Sequence, residues 1–262
     1  MKTISTFNAL HLGDNLVHLH FLRNLAQRYP NIAFVHGAPD EHLGQLYSLW
    51  QDLPNLTVKS IAEVGQGAIN AWRGAGGHWY SHPQRQDFVA YHLEWFQHLA
   101  KVMGLESPLH YGRDLLFDYP ELRNALAPLA DHAWDFLLIN SAPQSGQWQG
   151  YSGQAFTELA QRLLYQGKKV ISTRPTGVPG VPSTSDVQGD ITHIGHVSQI
   201  SRCIIGCVTG PMWPCLNTWN ADTVALRVHL LDQERVDHLP EHTAHCNSLS
   251  LVPEILKDRG LL

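Results

Sequence analysis

CIIGCVTGPMWPCLNTW, residues 203–219, decides the fold. Its opening run, Cys203 to Val208, is too short for an ordinary helix and rich enough in Ile and Val to be a strand buried on both faces, as in a parallel sheet. A small turn follows, and then a segment that reads as a helix. Gly210 lets a ligand approach the backbone, Thr209 offers a hydroxyl, and N–H groups at the start of a helix suit a phosphate. The turn Thr209-Gly210-Pro211-Met212 is therefore a candidate diphosphate cradle. The plainer reading is a strand, turn and helix unit of the kind every α/β protein contains.

Outward from that stretch, a second set of alternating elements lies upstream. WDFLLINSA (134–142) and KKVISTR (168–174) read as strands, with the helix GQAFTELAQRLLYQG between them closed by Gly167. PTGVPGVPSTSDVQGD (175–190) is too rich in Pro and Gly for regular structure, and ITHIGHVSQISR contains a short helix leading into Cys203. Downstream, ADTVALRVH (221–229) reads as a further strand and SLVPEILKDRGLL as a terminal helix.

The N-terminal half repeats the theme. TISTFNAL (3–10) reads as a strand, and His11 to Asn15 as the turn into a helix over 15–28, with Leu16, Leu19, Leu22, Leu25 and Ala26 on one face. IAFVHG (32–37) and LTVKSI (56–61) are further strands, separated by a helix over 39–51 that Pro39-Asp40-Glu41 opens. Such β-α-β-α-β alternation predicts a parallel sheet with right-handed crossovers. Asp14 then stands where a strand's carboxyl end meets a helix, the edge on which open α/β sheets bind ligands. Its other reading is a helix cap.

The pattern changes at GQGAINAWRGAGGHWYSHPQRQ (65–86), rich in Gly, aromatic and polar residues, which reads as a functional loop. Trp72, Trp79 and Tyr80 offer flat faces for a sugar, and Arg73 a polar partner. The same aromatics also suit a loop pinned to its own domain. A long helix over 87–103 follows, and the Pro-bearing segment to about 132, with a short helix near 120–127, is the linker region.

Composition narrows the function classes. With 262 residues, 44% hydrophobic and 16% charged, the chain is globular and long enough for two modest domains. A net charge of -5 leaves no footprint for nucleic acid, so a bound phosphate must be met locally. No apolar run reaches signal-peptide or transmembrane length, and a cytoplasmic protein is expected. The four cysteines show no CxxC spacing and read as reduced core residues. The 17 histidines form no HExxH or repeated spacing, so no metal is expected, and most read as surface or cleft residues.

In order, these signals resemble a GT-B glycosyltransferase, and within that architecture the bacterial heptosyltransferase-like group (ADP-heptose:LPS heptosyltransferases). HLGDNLVHLHFLRNLA resembles that family's opening turn, a Gly-Asp pair between first strand and helix. LLINSAPQSGQWQGYSGQAFTELAQRLLYQGKKVIST resembles the start of its donor domain, and ITHIGHVSQISRCIIGCVTGPMW the segment leading to an Asp-Ser/Thr-Gly-Pro-Met-His motif. The sequence departs from the family at Val208 (Asp there), Trp213 (His there) and Gln147 (Lys there).

The resemblance implies two Rossmann-like domains with parallel sheets facing a central cleft, an acceptor-side domain over 1–115 and a nucleotide-sugar donor domain over 116–262. It implies inverting transfer of a sugar from a nucleotide-diphosphate donor to the hydroxyl of a glycan or other acceptor, without metal or cofactor, in cell-surface glycan synthesis. Asp14 would be the general base, with Gly13, Arg174, Thr209, Gly210, Pro211 and Met212 around the donor diphosphate. Two competitors stand beside it. One is a degenerate nucleotide- or glycan-binding protein on the same fold, which Val208, Trp213 and Gln147 favour. The other is a nucleotide-sugar epimerase.

Overall fold

The computed structural model describes residues 2–72, 87–120, 133–144, 148–187, 191–207, 209–232 and 242–262. The chain divides into two compact units, the first built on Met1–Tyr119 and the second on Pro120–Glu234 with Leu239–Leu262. Each unit is a parallel α/β sheet.

In the first unit the sheet order is β3-β2-β1-β4, with β1 Lys2–Phe7, β2 Ile32–Ala38, β3 Leu56–Ser60 and β4 Ile69–Asn70. Every pairing is parallel, with Thr6 opposite His36 and Ile69. The chain steps from β1 to β2 to β3 in one direction and then returns to the other side of β1. The carboxyl ends of β1 and β4 thus flank the point where the strand order reverses.

The expected strand over 3–10 ends at Phe7, because the Asn8 side chain accepts the Leu10 N–H at 2.9 Å and turns the chain. Helix α1, Leu12–Arg28, consequently starts three residues earlier than the pattern predicted, with His11 at its cap position and no side-chain cap bond. The cap reading of Asp14 is therefore wrong. Asp14 is the third residue of the helix, in its first turn. The expected leucine face is fully buried, and Phe21 stacks on Phe96 of the helix Phe88–Val102, centroids 4.7 Å apart. That helix follows the sequence closely, with Asp87 capping it through the Ala90 N–H. Part of the polar side of α1 is buried as well. Arg23 pairs in bidentate fashion with Asp52 at 2.5 and 2.7 Å and lies over the Tyr119 ring, while His20 meets the Tyr119 hydroxyl at 3.1 Å.

The 65–86 loop contributes β4, which is only two residues long and leaves no alternation to read. The short helix expected near 120–127 lies almost wholly outside the described residues.

The second unit has a sheet of order β6-β5-β7-β8-β9, formed by β5 Trp134–Ile139, β6 Val170–Ser172, β7 Ser201–Cys207, β8 Leu226–Leu230 and β9 Thr243–Cys246. All four pairings are parallel. Order reverses between β5 and β7. Phe156, Leu159 and Leu163 of the helix Gly153–Tyr165 join Val252 and Leu256 of the helix Val252–Asp258 over Phe136, Leu138, Ile205 and Val228. Gly206 sits opposite Ile139, and a Cβ there would lie 2.4 Å from the Ile139 Cβ.

Three expectations change in this unit. The helix after the Thr209 turn is a 3-10 helix, Gly210–Cys215, because Pro211 and Pro214 cannot donate the bonds of an α-helix. The strand expected over 221–229 is split: Thr218–Thr223 is helical, capped by Asn217 on the Asn220 N–H at 2.8 Å, and β8 starts only at Leu226. β9 was not expected at all. The four cysteines are buried thiols.

Candidate functional site

At the carboxyl edge of the first sheet, α1 begins over a buried polar network. Thr6, Asn8, Asn15 and His36 are each at most 1% exposed. Asn15 Nδ2 donates to the carbonyls of Leu10 and His11, both at 3.1 Å, which leaves its Oδ1 as an acceptor. His36 Nε2 lies 3.1 Å from that oxygen and must carry the proton; His36 Nδ1 then accepts from the Thr6 hydroxyl at 2.9 Å. Asn8 Nδ2 meets His18 Nδ1 at 3.0 Å. Burial pushes His36 down from 6.5 to about 4, so the ring is neutral at physiological pH.

The network anchors the turn that carries Gly13 and Asp14, both half-buried. Trp72, also half-buried, follows β4 on the other side of the reversal point, its N–H bonded to Asn70 Oδ1 at 3.0 Å. Arg73, Trp79 and Tyr80 lie outside the described residues. Among the described residues most histidines are exposed or half-buried, as expected, but His18, His20, His36, His92 and His229 are buried. Their sequence neighbours gave no hint, since a lone His reads as polar.

At the carboxyl edge of the second sheet, the ends of β5, β6 and β7 come together. Asn140, just past β5, brackets Arg174, two residues beyond β6: its Oδ1 accepts the Arg174 N–H at 2.8 Å and its Nδ2 donates to the Arg174 carbonyl at 2.9 Å. The Thr173 hydroxyl donates to the same Oδ1 at 3.0 Å, and the Tyr151 hydroxyl donates to the Asn140 carbonyl at 3.1 Å. Arg174 itself is exposed.

Across the reversal point, Thr209, Gly210 and Pro211 are half-buried and Met212 and Trp213 are buried. Pro211 has no N–H, and the Met212 N–H is bonded to the Thr209 carbonyl at 2.9 Å. These two residues therefore bring no backbone donor to a ligand. Val208 and Gln147 lie outside the described residues. Trp148 is anchored by its indole N–H on the Asn247 carbonyl at 2.9 Å, which fixes the end of the β5 loop.

Further along this edge, beyond β8 and β9, a groove of about 420 Å³ is lined by Asp232, Glu254 and Asp258 beside Leu251 and Ile255. Three carboxylates repel a diphosphate, so an anion on this edge is better served on the β5 to β7 side, where Arg174 stands. Among the described residues, no group of three or more His, Cys, Asp or Glu side chains is placed to hold a metal ion. Burial raises Cys215 to about 12 and Cys203 further, so neither thiol is a nucleophile at neutral pH. No described helix is long and apolar enough to cross a membrane.

The architecture has close counterparts among solved structures. E. coli heptosyltransferase WaaC, solved with ADP-2-deoxy-2-fluoro heptose, superposes with a TM-score of 0.60 at 14% identity, over 98% of this chain and 99% of that one. The fold is that of the heptosyltransferases. E. coli ADP-heptose LPS heptosyltransferase II gives 0.56 at 12% identity over 100% and 96% of the two chains. A family 9 glycosyl transferase from Veillonella parvula gives 0.54 at 16% identity over 99% and 89%. No family model matches the sequence, and no curated protein does.

Proposed function

We propose that this chain is a glycosyltransferase that moves a sugar from a nucleoside-diphosphate sugar to an acceptor hydroxyl, with inversion and without a metal, in the synthesis of a cell-surface glycan. One observation carries the reading: on a heptosyltransferase fold, Asp14 and the Thr209 to Met212 turn each follow a strand that borders the reversal point of its own sheet. The solved relatives bind ADP and an ADP-heptose analogue, which makes a nucleoside diphosphate the first donor class to test.

In this mechanism the Asp14 carboxylate takes the proton of the acceptor hydroxyl as its oxygen attacks the anomeric carbon. The new C–O bond forms on the face opposite the leaving group, and the old C–O bond breaks with its electron pair going to the diphosphate. Arg174 and the Gly210 turn stabilise the charge that develops there. Gly13 keeps the backbone before Asp14 open to substrate. Trp72 offers a stacking face to the acceptor.

A panel of ADP-, GDP- and UDP-sugars read by thermal shift tests the donor, since a ligand at a hundred times its Kd adds about 2.7 kcal/mol of stability. A shift with one nucleotide class supports the reading, and none with any of them removes it. A second reading, a binding protein that kept the fold and lost the chemistry, is favoured by the turn itself, where Pro211 and Met212 supply no donor to a phosphate. Donor binding without turnover against any acceptor would decide for it.

A further inference from the structure

We infer that Asn140 is a positioning residue for the diphosphate end of the donor, acting through Arg174; the inference rests on the nucleotide-sugar reading above. Asn140 is 7% exposed and stands at the carboxyl end of β5, between the β6 end that carries Arg174 and the β7 end that leads to Gly210. Its amide makes a two-point clamp on one residue, at 2.8 Å to the Arg174 N–H and 2.9 Å to the Arg174 carbonyl.

The clamp is itself held. The Thr173 hydroxyl donates to Asn140 Oδ1 at 3.0 Å and accepts from the Asn140 N–H at 3.2 Å, while the Tyr151 hydroxyl fixes the Asn140 carbonyl at 3.1 Å. The Thr184 hydroxyl, on the Thr173 carbonyl at 3.3 Å, ties in the Pro-rich loop beyond β6. The oxygen of the amide accepts two donors and its nitrogen serves a carbonyl, so Asn140 cannot be flipped without setting like groups against each other. Ladder pairing of β6 with β5 stops at Ser172, so Arg174 lies beyond the ladder. Asn140 supplies a partner to the Arg174 N–H and shares the Arg174 carbonyl with the Ser172 hydroxyl, which donates there at 2.8 Å.

Arg174 points an exposed guanidinium from a backbone fixed at both its N–H and its carbonyl. A long cation on a fixed root loses less freedom when it meets a phosphate than one on a mobile loop, which is how preorganisation becomes affinity. Asn140 makes this contribution without touching the ligand.

The test is a double-mutant cycle on ADP and AMP binding, with Asn140→Ala, Arg174→Ala and the double variant. Arg174→Ala should weaken ADP about tenfold or more, the scale of a hydrogen bond to a charged group, with less effect on AMP. Asn140→Ala should weaken ADP severalfold with the same preference for ADP over AMP, and should add less than about twofold in the Arg174→Ala background. A purely structural role would lower ADP and AMP alike. Additive effects, or equal loss for both nucleotides, overturn the inference while leaving the nucleotide site standing. Wild-type protein that binds neither nucleotide, nor GDP or UDP, sinks the parent reading and this one with it. Should Asn140→Ala fail to fold, Thr173→Val removes one of the bonds that hold the clamp and must show the same ADP-selective loss.

Discussion

His36 Nε2 lies 3.1 Å from Asn15 Oδ1, and this contact joins the second strand of the first sheet to the opening turn of helix α1. It requires a neutral ring with its proton on Nε2, since Nδ1 takes the Thr6 hydroxyl at 2.9 Å. Burial holds His36 at about 4 against an ordinary value of 6.5. The unfolded chain therefore binds a proton below about pH 6.5 that the folded chain refuses until about pH 4. Stability from this group is complete above pH 6.5 and falls as the pH drops toward 4, by roughly 3 kcal/mol in all. Urea unfolding at a series of pH values, wild type against His36→Gln, measures it. The wild type should lose more stability than the variant between pH 6.5 and 4, and parallel curves would refute the assignment.

Gly206 is opposite Ile139 in the β5 and β7 ladder, where a Cβ would lie 2.4 Å from the Ile139 Cβ and 2.8 Å from its carbonyl oxygen. Neither atom is the free end of a flexible chain. Gly206→Ala must push the two strands apart just before the Asn140 and Gly210 turns, at an expected cost of about 1 to 3 kcal/mol. A denaturation midpoint unchanged by Gly206→Ala would show that the ladder yields easily.

Much of this fold was legible because its strands are dense in Val, Ile and Leu and its long helices carry a repeating apolar face. Ile204, Ile205, Leu137 and Leu138 announce buried strands, and Phe88–Val102 keeps its helical spacing throughout. What escaped was set by bonds that a pattern does not encode. Thr243-Ala244-His245-Cys246 has no strand-like alternation and becomes β9 only because β8 lies alongside to pair with it. Ala221 to His229 alternates well enough to read as one strand, yet Asn217 and Asn220, tied to Ser198 and the Cys215 carbonyl, wind its first residues into a helix. The edges of both sheets were recognised from Asp14 and Gly210, whereas Asn140, Asn15 and His36 were missed. Buried Asn and His look polar in sequence, and only three-dimensional partners reveal them as core.

Gly210 is half-buried at the start of the 3-10 helix, between the carboxyl end of β7 and Pro211. If the donor diphosphate lies against this turn, a branched side chain there occupies phosphate space. Gly210→Val should abolish ADP binding while leaving a cooperative unfolding transition, as calorimetry of binding and of unfolding would show. Unchanged affinity in a folded variant would move the phosphate away from this turn.

Asp14 carries the chemical half of the proposal, and its place in the helix sharpens the test. It lies in the first turn of α1 rather than at the cap, where its charge near the helix N-terminus contributes about 0.3 to 1 kcal/mol. Asp14→Asn removes that charge but fills the same volume, so the fold and donor affinity should survive. An amide cannot accept the acceptor's proton, and loss of a general base typically costs about 10² to 10⁴ in rate. Transfer must be followed rather than donor hydrolysis, because water reacts without an acceptor site and by a leakier route. Sugar transfer by Asp14→Asn should therefore fall at least a hundredfold, roughly the lower end of that range, with the donor Kd within about twofold of wild type. Transfer at the wild-type rate would leave Asp14 a structural residue and send the search for the base elsewhere.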